Sequence, residues 1–272
     1  MDGERTDFTN GAAHEMPTAA ALRARARYFL AGAGRGAPGY GTYLLGLLLM
    51  SLVVVALLVG ALTLGVMMVV GAGAVAGDAA GAAATPATVL DALRTVETLP
   101  PATLALALGG SAVFVLGILY MLGFATWSQT AQALALARGG LTIGHGVSGF
   151  GNGWRAAGLI LWQQTFVFLW LLLFIVPGIR ALFSYALAPY LLVDHPDWTA
   201  RQCLAESKRL MEGNRWRLFE LNLSFWGWWL LVGIAHCTGS GGLANLLFTP
   251  YVDAARAAFY EDLLDRTSLE TT

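Results

Sequence analysis

Long apolar runs separated by short polar loops fill the chain from Thr42 to Tyr260. A helix rises about 1.5 Å per residue, so about 20 apolar residues cross the hydrocarbon of a bilayer. The pattern predicts six such spans, near 42–70, 103–127, 157–176, 179–193, 218–235 and 242–260. The first drifts into a Gly/Ala stretch reaching Ala84, and Pro177-Gly178 breaks the chain between the third and the fourth. The fourth is short for a crossing, so it is steeply oriented, sheltered by its neighbours, or a re-entrant half-helix. The expected fold is all-α, a polytopic transmembrane helical bundle. A single transmembrane domain covers 42–263, between a cytosolic N-terminal arm at 1–41 and a cytosolic tail at 264–272.

Three shorter stretches read as amphipathic helices. Residues 22–30 place Arg23 and Arg27 on one face, with Leu22, Ala26 and Phe29 elsewhere, a composition that suits an anionic leaflet. Thr85-Pro86 opens a helix carrying Val89, Leu90, Leu93 and Val96 on one side. In the cytosolic helix 199–212, Thr199 and Gln202 form a capping box. Its apolar stripe is Ala200, Cys203, Leu204, Ser207, Leu210 and Met211, and Gly213 stops it.

Charge then orients the bundle. Under the six-span reading one side holds fourteen Arg and Lys residues, among them Arg23, Arg25, Arg27, Arg138, Arg155, Arg201, Lys208 and Arg209. The other side keeps Arg94 and Arg180. Positive charge stays cytoplasmic, so both termini are expected there. Ala74-Val75-Ala76 resembles a signal cleavage site, but the apolar stretch before it far exceeds the usual 7–15 residues, which favours an uncleaved anchor. Composition agrees: 57% of residues are hydrophobic and 12% charged, against about 25% charged in soluble domains. The 33 glycines suit helices that approach closely in lipid. A net charge of −1 argues against a nucleic-acid partner.

One pentapeptide returns. Gly151-Asn152-Gly153-Trp154-Arg155 recurs as Gly213-Asn214-Arg215-Trp216-Arg217, and each copy leads through an apolar span and a Gly-containing turn to a Pro-Tyr pair. Spans three-four and five-six therefore read as a parallel repeat of two helical hairpins. Trp154, Arg155, Trp216 and Arg217 are candidate interface anchors, since indole sits among headgroups and arginine meets phosphates. Pro189 and Pro250 are candidate helix kinks, each removing a backbone hydrogen bond.

Candidate chemistry is sparse. Asn245, Thr249, Asp253, Arg256 and Tyr260 share one face of the sixth span. An aspartate at mid-bilayer costs about 2.5–3.5 kcal/mol and demands a partner or a watery cavity. The stripe is then an ion or solute pathway, or the end of a helix that has already reached the interface. Gln163, Gln164, Glu220, Asn222 and Ser224 are further buried-polar candidates suited to interhelical hydrogen bonds. Gly144 to Gly149 fits the dinucleotide glycine fingerprint, yet no strand precedes it, so it reads as a loop. His14, His145, His195 and His236 are scattered, and Cys203 and Cys237 fall on opposite sides of the membrane. No catalytic set, cofactor motif or metal site is expected.

Several further residues carry a resemblance. They are Pro177-Gly178-Ile179, Tyr185-Ala186 and Ala188-Pro189-Tyr190, then Ser207 with Leu210 to Phe219. Leu223-Ser224-Phe225, Gly227-Trp228, Pro250-Tyr251 and Ala257 to Tyr260 complete the set. In this order and spacing the C-terminal half resembles the integral membrane family called domain of unknown function 975, with residues 22–30 a looser match. The Gly/Ala-rich stretch 71–84 departs from the pattern. The resemblance implies a bacterial inner-membrane, multi-pass protein and implies no reaction.

The sequence therefore reads as a non-catalytic membrane component with a partner, assembly or envelope-maintenance role. The alternative is a small-solute or ion transporter or channel using the polar stripe. An enzyme acting on lipid headgroups would need clustered carboxylates or histidines near Trp154 and Trp216, where only Asp194, Glu212 and Glu220 stand. The lipid bilayer is the expected partner, with room for a protein partner or a homo-oligomer. A cavity reaching Asp253 would favour the solute reading. Burial against Arg256 or Arg180 without one would favour a structural role.

Overall fold

The computed structural model describes residues 17–31, 40–77, 101–237 and 240–270. Arg5, His14, Arg35, Arg94 and the helix read from Thr85 lie outside the described residues. Within them every regular element is helical: α1 (Ala19–Leu30), α2 (Tyr40–Gly77), α3 (Pro101–Ala137), a 3₁₀ helix (Ile143–Phe150) and α4 (Gly153–Leu173). Then come α5 (Ile175–Ser184), α6 (Ala188–Asp194), α7 (Ala200–Leu210), α8 (Arg215–Leu223), α9 (Trp226–Cys237) and α10 (Gly241–Glu270). In a medium without water each backbone N–H and C=O must find a partner within its own segment, which only helices and closed barrels achieve.

Four helical stretches are long and apolar enough to cross a membrane: Tyr40–Gly60, Leu108–Ala137, Gly153–Leu173 and Ile175–Asp194. The pair α8 and α9, bent by 50° at Ser224 and Phe225, makes a fifth. The protein is membrane-embedded. The stretch expected as a sixth span lies within the 30-residue α10, which is outside that set. Its Asn245, Thr249, Asp253 and Arg256 lower its hydropathy.

The chain divides into two compact units, Ser51–Leu122 and the remainder. The smaller unit comprises the later part of α2 and the early part of α3, whose Leu52, Val55, Leu108 and Val115 are more than half exposed, as lipid-facing side chains are. In the larger unit α10 is the hub. Its Ala254, Ala255, Ala257 and Ala258 are fully buried, and small side chains let neighbouring helices come close. α1 packs on it through Leu22, Ala26 and Leu30, leaving Arg25 and Arg27 outward. Thr18 caps α1, accepting from Ala21 N at 3.3 Å.

Local signals explain the remaining boundaries. Thr199 and Gln202 close the capping box of α7, with Thr199 N donating to Gln202 Oε1 at 2.8 Å. Gly213, at φ +79°, ends the turn after α7 in a conformation side-chain-bearing residues resist. The break between α4 and α5 falls at Phe174, which is extended (φ −158°, ψ 144°), rather than at Pro177-Gly178. Pro177 sits in the first turn of α5, where its missing N–H would have had no helical partner anyway. Gly178 lets α5 fold back against α4, since a Cβ there would lie 2.7 Å from Leu171 Cα. The glycines of the 144–149 segment serve packing. A Cβ on Gly146 would meet Gly46 O at 2.5 Å, and Gly149 N donates to Ser128 Oγ at 3.0 Å. That segment is a 3₁₀ helix with no strand before it.

Candidate functional site

Where α10 passes α3, α5, α6 and α8, its alanines give way to two charges one turn apart. Asp253 is 7% exposed. Its Oδ2 accepts from Tyr43 Oη at 3.0 Å and from Gln129 Nε2 at 2.8 Å. Arg256 turns elsewhere, donating from Nη2 to Asn222 Oδ1 at 2.9 Å. Asn222 is itself held by its Nδ2, which donates to Leu218 O at 2.9 Å. Each charge is anchored by neutral groups, and the two form no ion pair with each other.

Both line a cavity of about 360 Å³. Thr126, Gln129 and Thr130 of α3, Gln163 of α4 and Asn222 of α8 supply its polar wall, and Pro189 and Tyr190 of α6 close one side. The volume falls in the range of small-molecule sites, and an apolar lining with a few convergent polar groups is their usual composition. Of the described hydrogen bonds to Asp253, none falls on Oδ1, and none of those made by Arg256 uses Nε or Nη1. The cavity therefore offers one anionic acceptor and one cationic fork.

The polar stripe read from the sequence is divided by the fold. Asp253 and Arg256 line the cavity. Thr249 Oγ1 instead donates to Asn245 O at 2.7 Å, and Asn245 is exposed. Tyr260 is fully buried, and its Oη donates to Asp194 Oδ2 at 2.8 Å. Of the other buried-polar candidates, Gln163 and Asn222 reach the cavity, while Gln164 and Glu220 are exposed. Trp154 and Trp216 are 55% and 66% exposed. Their arginine neighbours turn inward: Arg155 Nη2 donates to Trp198 O at 3.1 Å, and Arg217 pairs with Asp262 at 2.8 Å. Pro189 opens α6 after the turn at Tyr185 to Leu187, while Pro250 lies inside the continuous α10.

Tyr43, Gln129 and Thr130 also belong to the site without standing out in the sequence, and Tyr190 stands out only as part of a Pro-Tyr pair. A signal existed for two. Ser128-Gln129-Thr130 and Gln132 interrupt an otherwise apolar helix, and a polar run of that kind faces protein or water.

Beyond the cavity an ionic layer ties the helix ends. Arg138 forks onto Asp194 with two bonds of 2.7 Å and reaches Glu261 at 2.8 Å, joining α3, α6 and α10. Hydrogen bonding to Asp194 holds the Arg138 guanidinium even more firmly protonated than usual.

Residues 150–267 match the family described as Protein of unknown function (DUF975). The chain carries a DUF975 region. It begins at the first Gly-Asn-Gly-Trp-Arg copy and runs through most of α10, so it supplies Gln163, Tyr190, Asn222, Asp253 and Arg256. Tyr43, Gln129 and Arg138 precede it. No curated protein and no solved structure matches the chain significantly. The family description names no reaction, so function has to be argued from the cavity.

Proposed function

We propose that this is a non-catalytic protein of the bacterial cytoplasmic (inner) membrane, with both termini cytoplasmic, whose cavity beside Asp253 and Arg256 receives a small polar ligand. The observation that carries the reading is the cavity itself, which reaches both charges. A buried carboxylate such as Asp253, beside a half-buried Arg256 that it does not pair with, is costly unless something else satisfies it. Holding or handing over a solute fits better than conduction along α10, because the hydroxyls of Thr249 and Tyr260 are committed elsewhere.

Topology forms part of the proposal. α5 has ten residues and so is about 15 Å long. At its end, Ser184 O accepts from Ser207 Oγ of α7 at 2.8 Å, and Ser184 Oγ accepts from Arg215 Nε at 2.7 Å. α7 exposes Lys208 and Arg209 beside that contact, and a helix bearing such charges belongs at the interface rather than in hydrocarbon. The arm beyond is half of the roughly 30 Å hydrocarbon thickness. α4, with 21 residues, is long enough to cross, so a hairpin that enters and leaves on the cytoplasmic side requires α4 to lie tilted; we propose that arrangement, with crossings by α2, α3, α8 with α9, and α10. The repeat then consists of two hairpins that start alike at Trp154-Arg155 and Trp216-Arg217 and reach different depths.

Native mass spectrometry of the protein in lipid discs tests the ligand. A stoichiometric small molecule should leave with the wild type and be lost from Asp253→Asn. Bulk lipid alone on both would end the reading.

A further inference from the structure

The separation of Asp253 from Arg256 says more about the ligand. Residues three apart on a helix carry Cβ atoms about 5–6 Å from each other, close enough for side chains of opposite charge to meet. Here they do not. Tyr43 and Gln129 hold the carboxylate by Oδ2, and Asn222 holds the guanidinium by Nη2. The two charges thus line one cavity while each is bonded to neutral partners rather than to the other.

From this we infer that the cavity selects a zwitterion: an ammonium set against Asp253 and an oxyanion set against Arg256, joined by a short linker. The inference rests on the ligand-binding reading proposed above. The site is neutral overall, carrying one negative and one positive group. A simple anion would engage Arg256 and leave Asp253 desolvated and facing like charge, while a simple cation would do the reverse. A zwitterion satisfies both, and two charges one helical turn apart on α10 call for a short linker. Gln163 and Tyr190 on the facing wall add neutral polar contacts without disturbing that balance. A guanidinium fork accommodates either carboxylate or phosphate oxygens. Aminoethyl phosphate therefore fits, whether as a free solute or as the headgroup of a zwitterionic phospholipid, and so does a short amino acid.

The test uses the full chain in discs of phosphatidylglycerol, titrated calorimetrically with O-phosphoethanolamine, β-alanine, ethanolamine and inorganic phosphate. At least one of the first two should bind at least tenfold more tightly than ethanolamine or phosphate. Asp253→Asn and Arg256→Gln should each weaken that binding at least tenfold while the protein elutes as the same folded species. Discrimination among the four probes by the wild type alone tests the inference if a variant fails to fold. Phosphate binding as tightly as phosphoethanolamine, unaffected by Asp253→Asn, would leave a ligand site but overturn the zwitterion. So would four silent probes beside a ligand found by native mass spectrometry, whereas silence in both experiments would remove the site altogether. Repeating the titration in phosphatidylethanolamine discs separates the sources. Weaker apparent binding there marks the lipid headgroup as competitor, and unchanged binding marks a free solute.

Discussion

In the topology proposed above, the two hairpins of the DUF975 region start alike and end in opposite solvents. In α4–α5 the turn is Leu172, Leu173, Phe174, Ile175 and Val176, all 62–78% exposed. In α9–α10 the turn is flanked by His236, Cys237 and Ser240. An apolar tip with so much bare surface is stable only in lipid, and a polar tip is stable only near water. About 31 Å of helix separates Asp262, paired with Arg217, from Gly241 at the second tip. That is enough to cross. In the first hairpin α5 covers about half that length, while α4 with 21 residues covers it fully and must tilt if the hairpin stays shallow. On the proposed topology one chain pattern yields two depths, with α7 clamped against the first hairpin as the element that limits it.

Thiol labelling breaks or sharpens this comparison most directly, with an all-or-none outcome. Cys237 is exposed, while Cys203 is buried and its thiol is pushed up by that burial. A membrane-impermeant maleimide added outside should therefore modify the native protein at Cys237 alone. With Cys237 replaced by Ala, the thiol introduced by Phe174→Cys should stay unlabelled from either side. Labelling of that thiol from outside to the extent of Cys237 would make α4–α5 a full crossing and erase the contrast.

A charge placed at each tip gives the next largest effect. Val176→Asp puts a carboxylate into hydrocarbon at a cost of about 2.5–3.5 kcal/mol and should sharply reduce the folded fraction recovered from membranes. Ser240→Asp lies at the watery tip and should change stability by less than about 0.5 kcal/mol. Equal losses from both would mean that the tips share one solvent.

Much of this was legible in advance. Thr199 with Gln202 announced α7, and Leu22 with Ala26 announced the buried stripe of α1, because capping and periodicity are local properties. Asp253 and Arg256 stood out because charge in an apolar helix is conspicuous. What brings Tyr43 and Gln129 to Asp253 was not legible, since those partners lie 210 and 124 residues away in sequence. The turn at Phe174 was also misplaced onto Pro177-Gly178. Proline and glycine were read as breakers, whereas proline fits the first turn of a helix and Gly178 is needed for close packing.

Gly178 supplies the third contrast. A methyl group there meets the Leu171 backbone, which cannot swing aside, so Gly178→Ala should destabilise the protein by about 1–3 kcal/mol. At Gly233, inside α9, a Cβ would have nothing within 4 Å. Gly233→Ala should therefore be neutral or should stabilise, by up to about 1 kcal/mol of helix propensity. Thermal unfolding in detergent, followed by helical dichroism, reads both. A harmless Gly178→Ala would mean that the first hairpin is looser than its geometry and would weaken its case as a rigid wedge in one leaflet.

The smallest expected effect probes the clamp itself. The Arg201 guanidinium of α7 lies 4.5 Å from the centre of the Trp162 ring on α4. It thereby ties the cytosolic helix to the hairpin whose depth it sets. An exposed cation–π contact of this kind contributes about 0.5–1 kcal/mol, so Arg201→Gln should lower stability by no more than that. Its consequence for position should be larger than its consequence for stability. A nitroxide attached at Phe174 through Phe174→Cys should become more accessible to lipid-soluble oxygen, or shift in depth, once α7 is loosened. The α9–α10 arm should not move, because Trp162 and Arg201 touch only the first hairpin and its cytosolic clamp. An unchanged spectrum at 174 would place the control of depth in Ser207 and Arg215, which hold Ser184, rather than in the aromatic contact.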